Sequence, residues 1–130
     1  MTLIVLLVAL GGALGSVARF GIMQLGARLS QQLPLGVLFC NIAGSLVIGM
    51  VAAFFIKTNL FSEEVSVYIR TFAVTGFLGG FTTFSSFSLD VLLLFQKGEI
   101  ITALCYMFIS VLVSLIMVAL GFYFIFGVYK

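Results

Sequence analysis

Histidine is absent from this sequence, proline occurs once, cysteine twice, and formal charge rests on six Lys/Arg and four Asp/Glu side chains. Without histidine, a histidine-ligated metal site is excluded. With so few acids as well, no nucleophile and base can be paired for covalent catalysis, so an enzyme is not expected. A net charge of +2, scattered along the chain, gives no basic patch for nucleic acid. A soluble domain draws roughly a quarter of its residues from the charged set; here the share is 8%. Cys40 and Cys105 fall inside apolar runs and read as small buried apolar side chains rather than as a disulfide or metal pair.

What is present is hydrocarbon. The chain is 63% hydrophobic with a mean hydropathy of +1.36, and this implies an integral membrane protein. A hydrocarbon layer ~30 Å thick needs about 20 apolar residues per helical span. Four stretches qualify, at about 3–27, 33–56, 69–95 and 100–128, giving an all-α architecture in a single domain over 1–130. The opening "MTLIVLLVALGGALGS" lacks a basic leading region and its apolar run continues towards Gly26, so it reads as a retained first helix rather than a cleaved signal. Four spans place both ends of the chain on one side. Lys57, Arg70 and Lys130 then lie on that side, and Arg19, Arg28 and Lys97 on the other. Three against three leaves the positive-inside rule nothing to act on. Insertion both ways up, and an antiparallel homodimer, follow naturally.

Polar residues within the spans are few enough to weigh one by one. Span one carries "GGALGSVARF", where Gly11 and Gly15 stand four apart and suit close helix approach. Arg19 lies ~24 Å along from residue 3, near the far interface. It reads either as a snorkelling anchor or as a charge at a pore mouth. Asn41, in "GVLFCNIAGSLVIG", either hydrogen-bonds a neighbouring helix or offers its amide to a passing ligand. In the last span Thr102, Tyr106, Ser110 and Ser114 recur at steps of four, a track on one helix face that climbs ~18 Å.

The densest mixture is "GFLGGFTTFSSFSLD", residues 76–90. Phe77, Phe81, Phe84 and Phe87 are spaced as a helical stripe. Gly79-Gly80 and Thr82-Thr83 predict a break in the third span near mid-membrane. Lipid cannot satisfy backbone groups freed by a break, so they must be buried in protein or face water. Broken spans of this kind hold ion sites, with freed carbonyls for cations and half-helix N-termini for anions. An aromatic ring has a negative face and a positive edge. Ring edges, hydroxyls and one amide, with no central carboxylate, suit a small anion. Ordinary helix packing is the alternative for the phenylalanines alone. Asp90 lies ~15 Å from Gly80 along the segment, towards an interface.

Taken in order, these three motifs resemble the bacterial fluoride channels of the Fluc (CrcB) family across essentially the whole chain. The resemblance implies an antiparallel, dual-topology homodimer in the bacterial plasma (inner) membrane, with two pores that let cytoplasmic fluoride leak out passively. It implies that the ring edges of Phe84 and Phe87 meet fluoride, that Asn41 donates its amide, and that Tyr106, Ser110 and Ser114 line a polar track. Ser85 and Ser86 would sit beside the rings, Ser86 where many relatives carry threonine. The Gly79 and Thr82 carbonyls of both subunits would hold a central structural Na+. Arg19 would be the family's helix-one arginine, and Asp90 stands where relatives often carry glutamate. Fluoride and a second copy of the chain, within lipid, are the implied partners.

Two rival classes make different demands. A small proton-coupled drug exporter needs a titratable acid in the membrane, and spans one and two contain none. A non-transporting assembly subunit accounts for the small-residue seams but not for the glycine break together with the polar track.

Overall fold

A computed structural model describes residues 1–58 and 60–128. Lys130, counted above in the charge balance, lies outside the described residues. Without water to accept or donate, a chain this apolar satisfies its backbone only as helix or closed barrel. Among the described residues every regular element is helical. Helix α1 spans Thr2–Leu29, α2 Leu35–Lys57 and α3 Glu63–Arg70. From α3 the chain runs on through a π-helical stretch, Thr71–Leu78, and a last turn, Gly79–Phe81. After two extended residues it resumes as α4, Phe84–Gln96, followed by α5, Ile100–Val128. Among the described residues, four helical segments, at 2–29, 35–57, 63–96 and 100–128, are long and apolar enough to cross a membrane. The protein is an all-α, multi-pass membrane protein.

Local chemistry sets the ends. Ser30 turns extended after α1, and its hydroxyl accepts the amides of Gln32 and Leu33 at 3.3 and 2.9 Å. Pro34, whose ring pre-sets a helical φ, stands directly before α2. The Ser62 hydroxyl accepts the Val65 amide at 3.4 Å, and Glu63 and Glu64 in the first turn of α3 suit the positive helix end. Gly98, at φ 77, makes the turn between α4 and α5.

Glycine seams hold the spans together. A side chain at Gly11 or Gly15 would collide with the backbone of Phe72 or Phe77, so α1 lies almost backbone to backbone with the π-helical stretch. Gly80 meets Gly12 in the same seam. Gly49 abuts Val118, and Gly121 abuts Leu46, where α2 crosses α5. Among lipid tails apolar side chains gain little from mutual contact, and backbone proximity of this kind drives association. Large apolar residues such as Leu10, Val17, Phe108, Leu112 and Phe124 face outward. A small core of Val37, Phe87, Val91, Leu94, Ala103 and Tyr106 joins α2, α4 and α5 beside the break.

The third span is broken, but not at the glycines. Gly79 and Gly80 remain helical; Thr82 (φ −84, ψ 157) and Thr83 (φ −155, ψ 123) carry the interruption. Gly80 is needed small for its contact with Gly12 on α1, and the paired threonines supply the hydroxyls that close one half-helix and open the next. Phe77, Phe81, Phe84 and Phe87 therefore do not form one continuous stripe. Phe77 and Phe81 stack on one side of the break, with centroids 5.9 Å apart. Phe84 and Phe87 belong to the other side.

Candidate functional site

Two threonines organise the break. The Thr82 hydroxyl donates to the Leu78 carbonyl at 2.9 Å, ending the first half-helix on its own backbone. Thr83 is the N-cap of α4: its hydroxyl accepts the Ser86 amide at 3.2 Å and lies 3.2 Å from both the Ser85 and Ser86 hydroxyls. A threonine just ahead of a helical run is itself a start signal, and this role of Thr83 was legible in "TTFSSF".

Asn41 secures the break from across the bundle. Its Oδ1 accepts the Thr83 amide at 2.8 Å, and its Nδ2 donates to the Thr83 carbonyl at 3.0 Å. The side chain thus pairs with both polar groups of one extended residue, as a neighbouring strand would. Both readings of Asn41 are compatible with this geometry. An amide carries two N–H donors, and the pairing with Thr83 uses one.

The diversion of these amides frees carbonyls. In an unbroken helix the Gly79 carbonyl would receive the Thr83 amide, and the Thr82 carbonyl the Ser86 amide. Those amides go instead to Asn41 and to the Thr83 hydroxyl. Arg19, half-buried on α1, reaches the Thr82 carbonyl with Nη1 at 3.4 Å. It therefore sits against the carbonyl end of the first half-helix, where the macrodipole favours positive charge.

Beside the break lies a groove of ≈ 430 Å³ walled by α2, the third span and α5. Asn41, Gly79, Thr82, Phe84, Phe87, Ser110 and Ser114 all line it; Arg19, Ser85, Ser86 and Tyr106 do not. Phe87 is buried at 7% exposure, whereas Phe84 is 77% exposed at the groove's open side. Their rings are tilted at 46°, with centroids 5.6 Å apart. Phe87 in turn leans on Tyr106 at 5.6 Å. The Tyr106 hydroxyl stands 3.5 Å from Asp90 Oδ2, so Asp90, near the α1–α2 loop, meets one end of the track.

Tyr106 and Ser110 are both buried at 5% exposure, on the inward face of α5. The Ser110 hydroxyl interacts with the neighbouring Tyr106 hydroxyl but makes no hydrogen bond of good geometry. No group of three or more His, Cys, Asp or Glu occurs among the described residues.

Comparison with known proteins accords with this architecture. Residues 6–122 match the model of the family described as "CrcB-like protein, Camphor Resistance (CrcB)". A protein of Francisella tularensis subsp. mediasiatica named "Fluoride-specific ion channel FluC" is 62% identical over 130 residues, the full length of both chains. One of the same name from Francisella philomiragia subsp. philomiragia is 58% identical, again over the full length of both. A third, from Paracoccus denitrificans, is 49% identical over 114 residues, covering 88% of this chain and 87% of its own. On this evidence of matched length and identity, the chain belongs to the CrcB family.

Proposed function

We propose that this protein is a passive, fluoride-selective channel that lets cytoplasmic fluoride out across the bacterial inner membrane. The observation that carries the reading is the set of donors lining the groove at the break, Asn41, Ser110 and Ser114, with no acid among its lining residues. Such a lining offers hydrogen-bond donors and no carboxylate, which suits an anion. Support also comes from the full-length relatives, each named as a fluoride-specific ion channel.

Fluoride holds its water tightly, so conduction needs donors in series that replace part of the shell without trapping the ion. The second N–H of Asn41, the Ser110 and Ser114 hydroxyls and the ring edges of Phe84 and Phe87 form such a series. Tyr106 continues it towards Asp90. Ser85 and Ser86 act through Thr83, holding the N-terminal turn of α4 and the Phe84 ring in place.

The exposure of Phe84 and of the groove supports assembly with a second, antiparallel copy that would close the pore within the lipid. The Gly79 and Thr82 carbonyls fit a structural Na+ at that interface. They are hard oxygen donors, released from helical hydrogen bonding at the negative end of a half-helix. Bound there, the cation would offset the electrostatic cost of an anion in low dielectric. Arg19 places positive charge at the same helix end from within the chain.

The test is efflux from liposomes containing the purified chain. Fluoride should leave electrically, with no proton gradient and little chloride flux. Proton-driven exchange of an aromatic cation, or no flux of any ion, would contradict the reading.

A further inference from the structure

The groove at the break is one of three hollows met in order along α2. One of ≈ 390 Å³ lies at the α1–α2 loop, lined among others by Val37, Asp90 and Lys97. The groove at the break is in the middle. A third, of ≈ 490 Å³, lies between the last turns of α2 and the start of the third span. Ile48 and Val74 line both the middle and the third hollow, so the two adjoin. Asp90, at the edge of the first hollow, contacts Tyr106, and Tyr106 packs on Phe87 in the middle one. Along α2 the distance from Val37 to Ile56, which lines the third, is 19 residues or ~28 Å. That is about the thickness of the hydrocarbon layer.

The third hollow has a polar side. Arg70, Thr71 and Thr75 line it together with apolar residues of α2. The Arg70 guanidinium lies 6.0 Å from the Phe55 ring centroid. It forms no ion pair or hydrogen bond among the described residues. A ring at that distance is a weak partner for a cation, and the donors of the guanidinium stay open to an anion.

We infer that Arg70, Thr71 and Thr75 form the second mouth of the ion path, with Arg70 drawing anions into it. This rests on the channel reading above. Arg70 acts as a positioning charge: it raises the local anion concentration at the mouth, while the hydroxyls hand the ion inward past Ile48 and Val74. Its influence is electrostatic and at an exposed site, so salt screens it; the Debye length falls from ~30 Å at 0.01 M to ~8 Å at 0.15 M. A charge that merely anchors the helix end would not show that dependence in flux.

The experiment measures initial fluoride efflux from liposomes for the full chain, for Arg70→Gln and for Arg70→Lys, at low and at physiological ionic strength. Arg70→Gln should slow efflux several-fold at low salt and much less at high salt, as expected for lost steering, and Arg70→Lys should restore it. A second arm places a thiol in the hollow, as Thr75→Cys with Cys105→Ser. A water-soluble, negatively charged thiol reagent should then label the protein and reduce efflux. Arg70→Gln efflux equal to the parent at both ionic strengths, or a Thr75→Cys thiol inert to the reagent because lipid or a second copy fills the hollow, overturns the inference. Absence of fluoride efflux from the unmodified chain would instead defeat the channel reading itself, so the two failures are distinguishable.

Discussion

The two halves of the third span are both rich in phenylalanine, yet they solve opposite problems. The end of the first half, residues 71–81, packs closely against α1. Gly11, Gly15, Gly76 and Gly80 bring backbones into contact, and Phe77 and Phe81 stack nearly parallel at 11°. The second half, α4, is capped by a threonine hydroxyl and pinned by Asn41, and its rings sit tilted, one buried and one exposed at the groove. The same residue type is mortar before the break and lining after it. What separates the two uses is the partner: glycine backbone for one, hydroxyls and an open hollow for the other.

The comparison breaks first on the sealed side. Gly15→Val places a branched side chain against the Phe77 carbonyl, where rigid backbone cannot yield. Overpacking of this kind costs about 1–3 kcal/mol or more. The expected outcome is loss of the monodisperse peak in detergent size-exclusion chromatography. A normal peak would show that the seam tolerates separation.

On the open side, Asn41→Leu removes both hydrogen bonds to Thr83 while filling similar space. Hydrogen bonds between membrane helices contribute about 0.6–2 kcal/mol each, so a drop in thermal midpoint is expected along with a fall in fluoride efflux of tenfold or more. Efflux near the parent level would separate the break from conduction. A finer contrast is Phe84→Ile with Phe87→Ile. Both should slow efflux, but only Phe87→Ile, at a buried position, should also lower the melting temperature. Equal destabilisation with unchanged efflux would return both rings to packing.

Four spans and an all-helical fold were legible because lipid leaves a chain of this hydropathy few alternatives. The break was legible as an event and at Thr82-Thr83, but not in the part given to Gly79-Gly80. Glycine serves both to loosen a helix and to let one approach another, and only the neighbour on α1 decides which. That neighbour is some 65 positions away in sequence. The π-helical stretch left no trace in the apolar pattern, since every face of Thr71–Leu78 is apolar or small. The site residues were legible by type. Their partners were not: Asn41 to Thr83 spans 42 positions and Arg19 to Thr82 spans 63. No local propensity encodes such pairings. The separation of Ser85 and Ser86 from the groove follows from Thr83, whose hydroxyl engages theirs.

If the inward face of α5 serves an ion rather than packing, removing the Ser110 hydroxyl should cost conduction and not stability. Ser110→Ala deletes that group with little change in volume and without breaking a hydrogen bond of good geometry. Fluoride efflux and thermal midpoint, measured on the same preparation, should therefore move apart: efflux severalfold slower, midpoint unchanged or higher. Efflux at the parent rate would contradict the account.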